Sequence, residues 1–193
     1  MQVRLMRVPI SGGNSQLILQ GAGIQNFQCA RAPARECLFS QFTEKGIRFF
    51  EFDPETGVKT EFARAGDPLW QAYNWSLSPD GQTLVLAKKM YGPASAQLWF
   101  IPTKGGEDRT VSVKDWSSIE TIDWAADSKS LWASAVIAGE TRALLNIDLQ
   151  GHAKPVLVEK KPYMGWAIPS PDGKKLAFWE SGGVSNVWML KGF

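Results

Sequence analysis

Histidine occurs once in this chain of 193 residues, at His152, and cysteine twice, at Cys29 and Cys37. One histidine excludes any catalytic or metal scheme that needs two within a single chain. Charge of one sign is also lacking. Lys and Arg number 21 against 19 Asp and Glu, a formal net charge of +2 with no block of like charges. That balance argues against a strong electrostatic claim on nucleic acid or anionic membrane, and no nucleic-acid partner is expected. No apolar run reaches transmembrane length, so no membrane insertion is expected of these residues. Met1–Arg7 has no continuous apolar stretch after its basic residues, so no signal peptide is expected there. A fragment of a longer protein would read the same way. Gly-rich phosphate loops, serine elbows and zinc signatures are absent too, and no cofactor is expected.

What is present is tryptophan, with nine copies, alongside 18 Gly, 11 Pro and 44% hydrophobic residues. Each tryptophan needs a large apolar bed and a partner for its N–H. Nine of them spread along the chain suggest a structural role that repeats. The content suffices for one sizeable core, and length alone suggests one domain over 1–193.

A repeat carries the organisation. Asn74–Ala87, Ile122–Ala133 and Trp166–Trp179 align, each an apolar run, a turn and a second apolar run. Their turns are Pro79-Asp80-Gly81, Ala126-Asp127-Ser128 and Pro171-Asp172-Gly173. The three aspartates lie 47 and 45 residues apart. Pro presets φ, Asp bonds the following backbone and Gly admits φ > 0, so each copy predicts a β-hairpin. A weaker copy lies at Phe27–Phe39, where Ala34-Arg35 replaces Asp-Gly and alters the turn. Cys29 and Cys37 fall on its two strands, compatible with a cross-strand disulfide or with two small buried thiols.

A second marker follows each hairpin: a strand, a glycine turn and another strand. It recurs in Arg4–Gly13, Arg48–Gly57, Gln97–Gly106 and Ala143–Gly151, and the closing glycines are 44, 49 and 45 residues apart. Two hairpins per period give four strands in about 45 residues, the arithmetic of a propeller blade. The expected fold class is all-β: a β-propeller of about four blades of four antiparallel strands per chain. The blade units fall at 23–68, 69–116 and 117–163, with 1–22 joining 164–193. The chain opens on a third and a fourth strand and closes on a first, second and third. The early fourth strand could complete the last blade, leaving the opening third strand surplus. The alternative is a slice of a larger ring with exposed sheet edges, and a slice is expected to form a homo-oligomer through blade completion.

Ser78-Pro79-Asp80-Gly81 and Ser170-Pro171-Asp172-Gly173 resemble the turn of TolB-like propeller repeats, relatives of WD-repeat blades. Gln97–Pro102 resembles the matching third strand. The ending Ser185–Leu190 with Phe193 resembles the C-terminus of propellers attached to bacterial membrane-anchored serine/threonine kinases and winged-helix regulators. That resemblance implies the tail of a sensor region on the extracytoplasmic side. No kinase or winged-helix motif is present. Such propellers usually have six to eight blades, more than this chain holds, and the family fixes fold better than function.

Ligands of propellers sit at the channel mouth, lined by the first strand of each blade. Counting back from Pro33, Pro79, Ala126 and Pro171 gives Phe27, Tyr73, Glu120 and Gly165, then Gln28, Asn74, Thr121 and Trp166. Tyr73, Asn74, Glu120, Thr121, Trp166 and Gln28 are the candidate ligand-binding residues, an amide, aromatic and carboxylate mixture suited to a peptide or sugar. The plainer account of the same positions is packing of blade on blade. Asp80, Asp127 and Asp172 read as turn residues, one per blade and too far apart to share a metal. His152 reads as a solvated turn residue. Trp75, Trp99 and Trp124 are expected in the core. Trp70 and Trp116, in connections, are either an exposed patch or packed beneath their loops.

The leading expectation is a non-catalytic interaction module for a protein, peptide or glycan. The rival is a hydrolase, metal-assisted or not, with its site in the channel or between subunits. Propeller enzymes need no linear motif, because single residues come from several blades. A third option is a stable fragment without separate function.

Overall fold

The computed structural model describes residues 2–65, 73–88, 95–136, 141–160, 163–181 and 185–191, and only the backbone of 73, 88, 185 and 186. Every regular element among them is a strand. The chain divides into two compact units, Met1–Trp70 and Gln71–Phe193.

In the N-terminal unit, β1 (Gln2–Arg7) and β2 (Gln16–Ala22) form a two-stranded sheet. β3 (Ile24–Cys29), β4 (Cys37–Thr43), β5 (Gly46–Phe52) and β6 (Lys59–Ala65) form a four-stranded meander. Val3, Leu5 and Ile18 pack on a cluster of Leu19, Ile24, Cys37, Phe39, Phe50 and Phe52. Phe39 and Phe50 stack with ring centroids 4.8 Å apart. The altered turn between β3 and β4 holds a cis Ala32–Pro33 peptide. A disulfide joins Cys29 to its cross-strand partner Cys37, which settles the two thiol readings.

The C-terminal unit holds three sheets. β7 (Tyr73–Leu77), β8 (Thr83–Lys88), β9 (Ala96–Pro102) and β10 (Arg109–Val113) form one. β11 (Ser118–Trp124), β12 (Ser130–Val136), β13 (Thr141–Asp148) and β14 (Ala153–Lys160) form the next. β15 (Tyr163–Pro169), β16 (Lys175–Ser181) and β17 (Ser185–Lys191) form a three-stranded sheet with β17 at its edge. Pairing is antiparallel throughout, and each sheet runs in chain order as the hairpin signals require.

Alternation with period two gives each strand two faces, and in the middle sheet both are apolar. Leu131, Ala133, Ala143, Leu145 and Ile147 pack with Val85, Leu98, Phe100 and Val113 of the preceding sheet. Trp132 and Leu144 pack with Met164, Ala167, Leu176 and Phe178 of the following one. A fully buried Leu or Ile stabilises by about 1.5–3 kcal/mol, more than the roughly 1 kcal/mol net of a turn hydrogen bond. Face-to-face burial therefore holds the sheets together, and the turns set where each begins. Trp75 and Trp124 are buried as expected. Trp116 is buried in the core, which excludes it from an exposed patch, and Trp70 lies outside the described residues.

The glycine marker has a packing cause. Gly151 has φ +92°, and a Cβ there would lie 2.5 Å from the Ser112 carbonyl oxygen on β10 of the preceding sheet. At Gly57 (φ +72°) a Cβ would lie 2.0 Å from the Ile18 oxygen on β2. At these two repeats the turn after the third strand abuts the fourth strand of the sheet before it, where only glycine fits, whereas Gly13 and Gly106 serve their own turns through positive φ.

Candidate functional site

The turn aspartates are structural. The Ser170 hydroxyl donates to Asp172 Oδ1 (2.6 Å), which also accepts the Lys174 N–H (3.1 Å). Ser170 Oγ in turn accepts the Lys175 N–H at 3.0 Å. The Ser170 hydroxyl, then the Lys174 N–H, hold the Asp172 carboxyl below the usual range. Ser78 and Asp80 repeat the arrangement, and Asp127 Oδ1 accepts the Lys129 N–H.

His152 is exposed, with Nδ1 2.8 Å from Asp148 Oδ2. Burial acts to raise the Asp148 carboxyl, but hydrogen bonds from the His152 ring and from the N–H groups of His152 and Gln150 outweigh it and leave it lowered. The pair closes the β13–β14 turn. Among the described residues no group of three His, Cys, Asp or Glu could hold a metal ion.

A polar row runs across the first strands of the C-terminal unit. Asn74 on β7 donates from Nδ2 to the Glu120 carbonyl on β11. Thr121 Oγ1, next along β11, accepts the Trp166 N–H from β15 at 3.0 Å and lies 2.7 Å from Ser134 Oγ on β12. Each first strand is thereby tied to the next through one side chain at the same repeat position. The Glu120 carboxylate pairs with Arg142 on β13, and that guanidinium lies 4.1 Å from the centroid of the Tyr163 ring on β15. This geometry is a cation–π contact as well as an ion pair.

Trp166 ends the row differently. Its φ is +48°, and its side chain is 63% exposed against the Trp179 ring, centroids 6.1 Å apart. In the preceding sheet the same two positions hold the bonded pair Thr121 and Ser134. Tyr163 is 58% exposed. Polar ties thus give way to an open aromatic platform at the last first strand.

Four of the predicted residues, Asn74, Glu120, Thr121 and Trp166, meet in this row. Tyr73 is on β7, and its side chain lies outside the described residues. Gln28 is on β3 in the N-terminal unit, partly buried. The sequence reading missed Arg142, Tyr163 and Trp179. Trp179 had a signal, because it breaks the repeat at the position of Ser134 just as Trp166 breaks it at Thr121.

Cavities lie elsewhere among the described residues, one of about 430 Å³ against Thr43, Glu44, Lys45, Arg48 and Arg64. One of about 150 Å³, lined by Asp80, Phe100, Arg109 and Trp124, is below the roughly 300–1,000 Å³ of small-molecule sites. Another, about 710 Å³, lies within the N-terminal unit against Cys29, Cys37, Arg35, Glu51, Asp53 and Glu55. Its Asp53 accepts the Glu55 and Thr56 N–H groups, and Glu55 pairs with Arg7.

No protein-family model and no curated protein matches the sequence. Solved structures do. TolB from Acinetobacter baumannii overlays 96% of this chain with a TM-score of 0.74 at 18% identity, using 45% of its own length. The fold is that of a TolB-like β-propeller. A TolB from Agrobacterium tumefaciens overlays 92% of this chain with 62% of its own (TM-score 0.68, 15% identity). An oligogalacturonate lyase in complex with manganese overlays 93% with 54% of its own (TM-score 0.65, 16% identity). The chain spans between about half and two thirds of these propeller proteins. At such identities the likeness is one of fold, and the same propeller serves TolB proteins and enzymes alike.

Proposed function

We propose that this propeller is a non-catalytic interaction module, presenting the row from Asn74 to Trp166 to a protein, peptide or glycan. The observation that carries the reading is the exposed Trp166, backed by Trp179, at the end of a hydrogen-bonded row, with the exposed Tyr163 three residues earlier on β15. An open aromatic face beside amide, hydroxyl and charged groups suits stacking on a sugar ring or an apolar side chain, with polar contacts for orientation. Glu120 is engaged by Arg142 and its carbonyl by Asn74, so the row's charge is matched internally. That favours a binding surface over proton-transfer chemistry.

The resemblance to propellers of membrane-anchored sensor kinases and winged-helix regulators supports a sensor role. The Cys29–Cys37 disulfide supports an extracytoplasmic setting, since disulfides persist in oxidising compartments.

The test is binding to peptide and glycan arrays by the native chain and by Trp166→Ala. A ligand is expected whose affinity falls about 30-fold in the variant, the loss typical of a tryptophan hot spot near 2 kcal/mol. Binding indifferent to Trp166 would move the site elsewhere. Turnover of ester, phosphoester or glycoside substrates, abolished by a chelator, would replace the module with the metal-assisted hydrolase.

A further inference from the structure

We infer that the Cys29–Cys37 disulfide is a thiol-operated latch: closed, it holds the turn 30–36 as a wall of the cavity of about 710 Å³, and a dithiol opens it while the β3–β6 sheet stays folded. The argument starts from the same turn in other repeats. The Ser78 N–H donates to the Thr83 carbonyl, and the Ser170 N–H to the Lys175 carbonyl. In both, the serine hydroxyl oxygen accepts the N–H of the same partner at 3.0 Å, and the turn aspartate accepts one more N–H. Four residues, 79–82 or 171–174, lie inside each clamp.

The corresponding bond of the first hairpin runs from the Ala30 N–H to the Glu36 carbonyl at 2.7 Å. Ala30 has no hydroxyl, Ala34-Arg35 replaces Asp-Gly, and five residues, 31–35, lie inside. This turn is longer and lacks the serine and aspartate ties that hold the others. One pair further in, the other repeats place apolar partners: Leu77 with Leu84, Trp124 with Leu131 and Pro169 with Leu176. The first hairpin places Cys29 with Cys37 there. The covalent bond thus stands directly beneath the one turn of these that has lost its side-chain clamp.

The two cysteines differ in surroundings. Cys37 is 3% exposed and packs with Leu19, Ile24, Phe39, Phe50 and Phe52. Cys29 is exposed, and both line the cavity. Exchange therefore starts at Cys29. A thiolate of the dithiol attacks Cys29 Sγ, the S–S bond breaks, and the Cys37 sulfur leaves and takes up a proton. The second thiol then displaces the Cys29 sulfur, which is protonated in turn, and the dithiol ends as a cyclic disulfide. Two electrons and two protons pass from the dithiol to the cysteines.

Opening removes the tie beneath the turn and leaves the sheet. Phe39, Phe50 and Phe52 keep their cluster with Val3, Leu5 and Ile18, and the β4–β5 and β5–β6 ladders do not pass through the bond. Ala30, Ala34 and Arg35 are cavity wall, so the wall is what changes. A turn released on a packed sheet opens locally.

The test treats the full chain with dithiothreitol without denaturant, blocks with iodoacetamide, removes both and adds trypsin, with cut sites read by mass spectrometry. Reduction is expected in the folded chain, with Cys29 alkylated and Cys37 protected until urea is added. Cleavage after Arg31 and Arg35 should rise about tenfold or more, as for a locally opened segment. Cleavage after Lys129 and Lys174, in the aspartate-clamped turns, should not change, and circular dichroism should persist. Cys29→Ser, which leaves Cys37 as a thiol, should be cut at the fast rate without reductant. As a second measurement that needs no variant, hydrogen exchange of the reduced native chain should quicken over 30–36 and not over β4 or β5. A disulfide that yields to dithiothreitol only in urea would overturn the inference. So would alkylation of Cys37 before Cys29, equal cleavage of the oxidised and reduced chains, or reduction that unfolds β3–β6, which would make the bond a staple of the whole sheet.

Discussion

Ser128 occupies the turn position that Gly81 and Gly173 hold in the neighbouring repeats, and it shares their left-handed backbone, φ 59° against 75° and 70°. An L-residue there costs about 1–2 kcal/mol. Glycine would release that strain and give back roughly 0.4–1 kcal/mol through a freer unfolded chain. Ser128→Gly is therefore expected to stabilise by about 0.5–1 kcal/mol, read as a higher urea midpoint with unchanged slope. Gly151→Ala should act the other way, by about 2 kcal/mol or more, because the new Cβ meets a backbone oxygen of β10 that cannot step aside. Equal midpoints for the two variants would contradict this account of the repeat glycines.

At the scale of the hairpin, what was legible and what was not follow from the range of the forces. The Pro-Asp-Gly turns located β7–β8 and β15–β16, and the Asp127 turn located β11–β12, because the Asx bond and positive φ are local. The glycine marker located the third and fourth strands, although at Gly57 and Gly151 its cause lies in the neighbouring sheet. The Arg142 contact with Tyr163 was not legible, since it depends on how one sheet seats on another. Nor was Trp99 the fully buried core residue expected: it is only partly buried.

The turns also predict an acid response. Asp172 is lowered by Ser170 and Lys174, and Asp53 by the Glu55 and Thr56 N–H groups. Glu61 is lowered by its hydrogen bond to Arg48 and then by Arg64, and Asp148, which burial acts to raise, is lowered on balance by hydrogen bonds from His152 and Gln150. A carboxyl whose pKa is lower folded than unfolded stabilises fully above its ordinary range, about 4. That contribution is lost as pH falls through the lowered folded value. The urea midpoint should hold from neutral pH to about 5 and decline below about 4, with Asp172→Asn showing a shallower decline. A midpoint that rises on acidification would refute the assigned hydrogen bonds.

For the whole molecule, the same face-to-face burial that builds the sheets leaves two features unabsorbed: the aromatic end of the first-strand row and the unmatched faces of the first and last sheets. The row is the proposed ligand surface. Four of six candidate residues were found in that row because strand phase places Asn74, Thr121 and Trp166 at one position of successive repeats, with Glu120 beside Thr121. Trp179 was missed because only comparison of second strands reveals it. The most direct measurement is to incubate the native chain with an array-selected ligand and recover that ligand for mass spectrometry. The account predicts that it returns unaltered, with capture lost in Trp166→Ala. A ligand recovered cleaved, or captured equally by both chains, would contradict it.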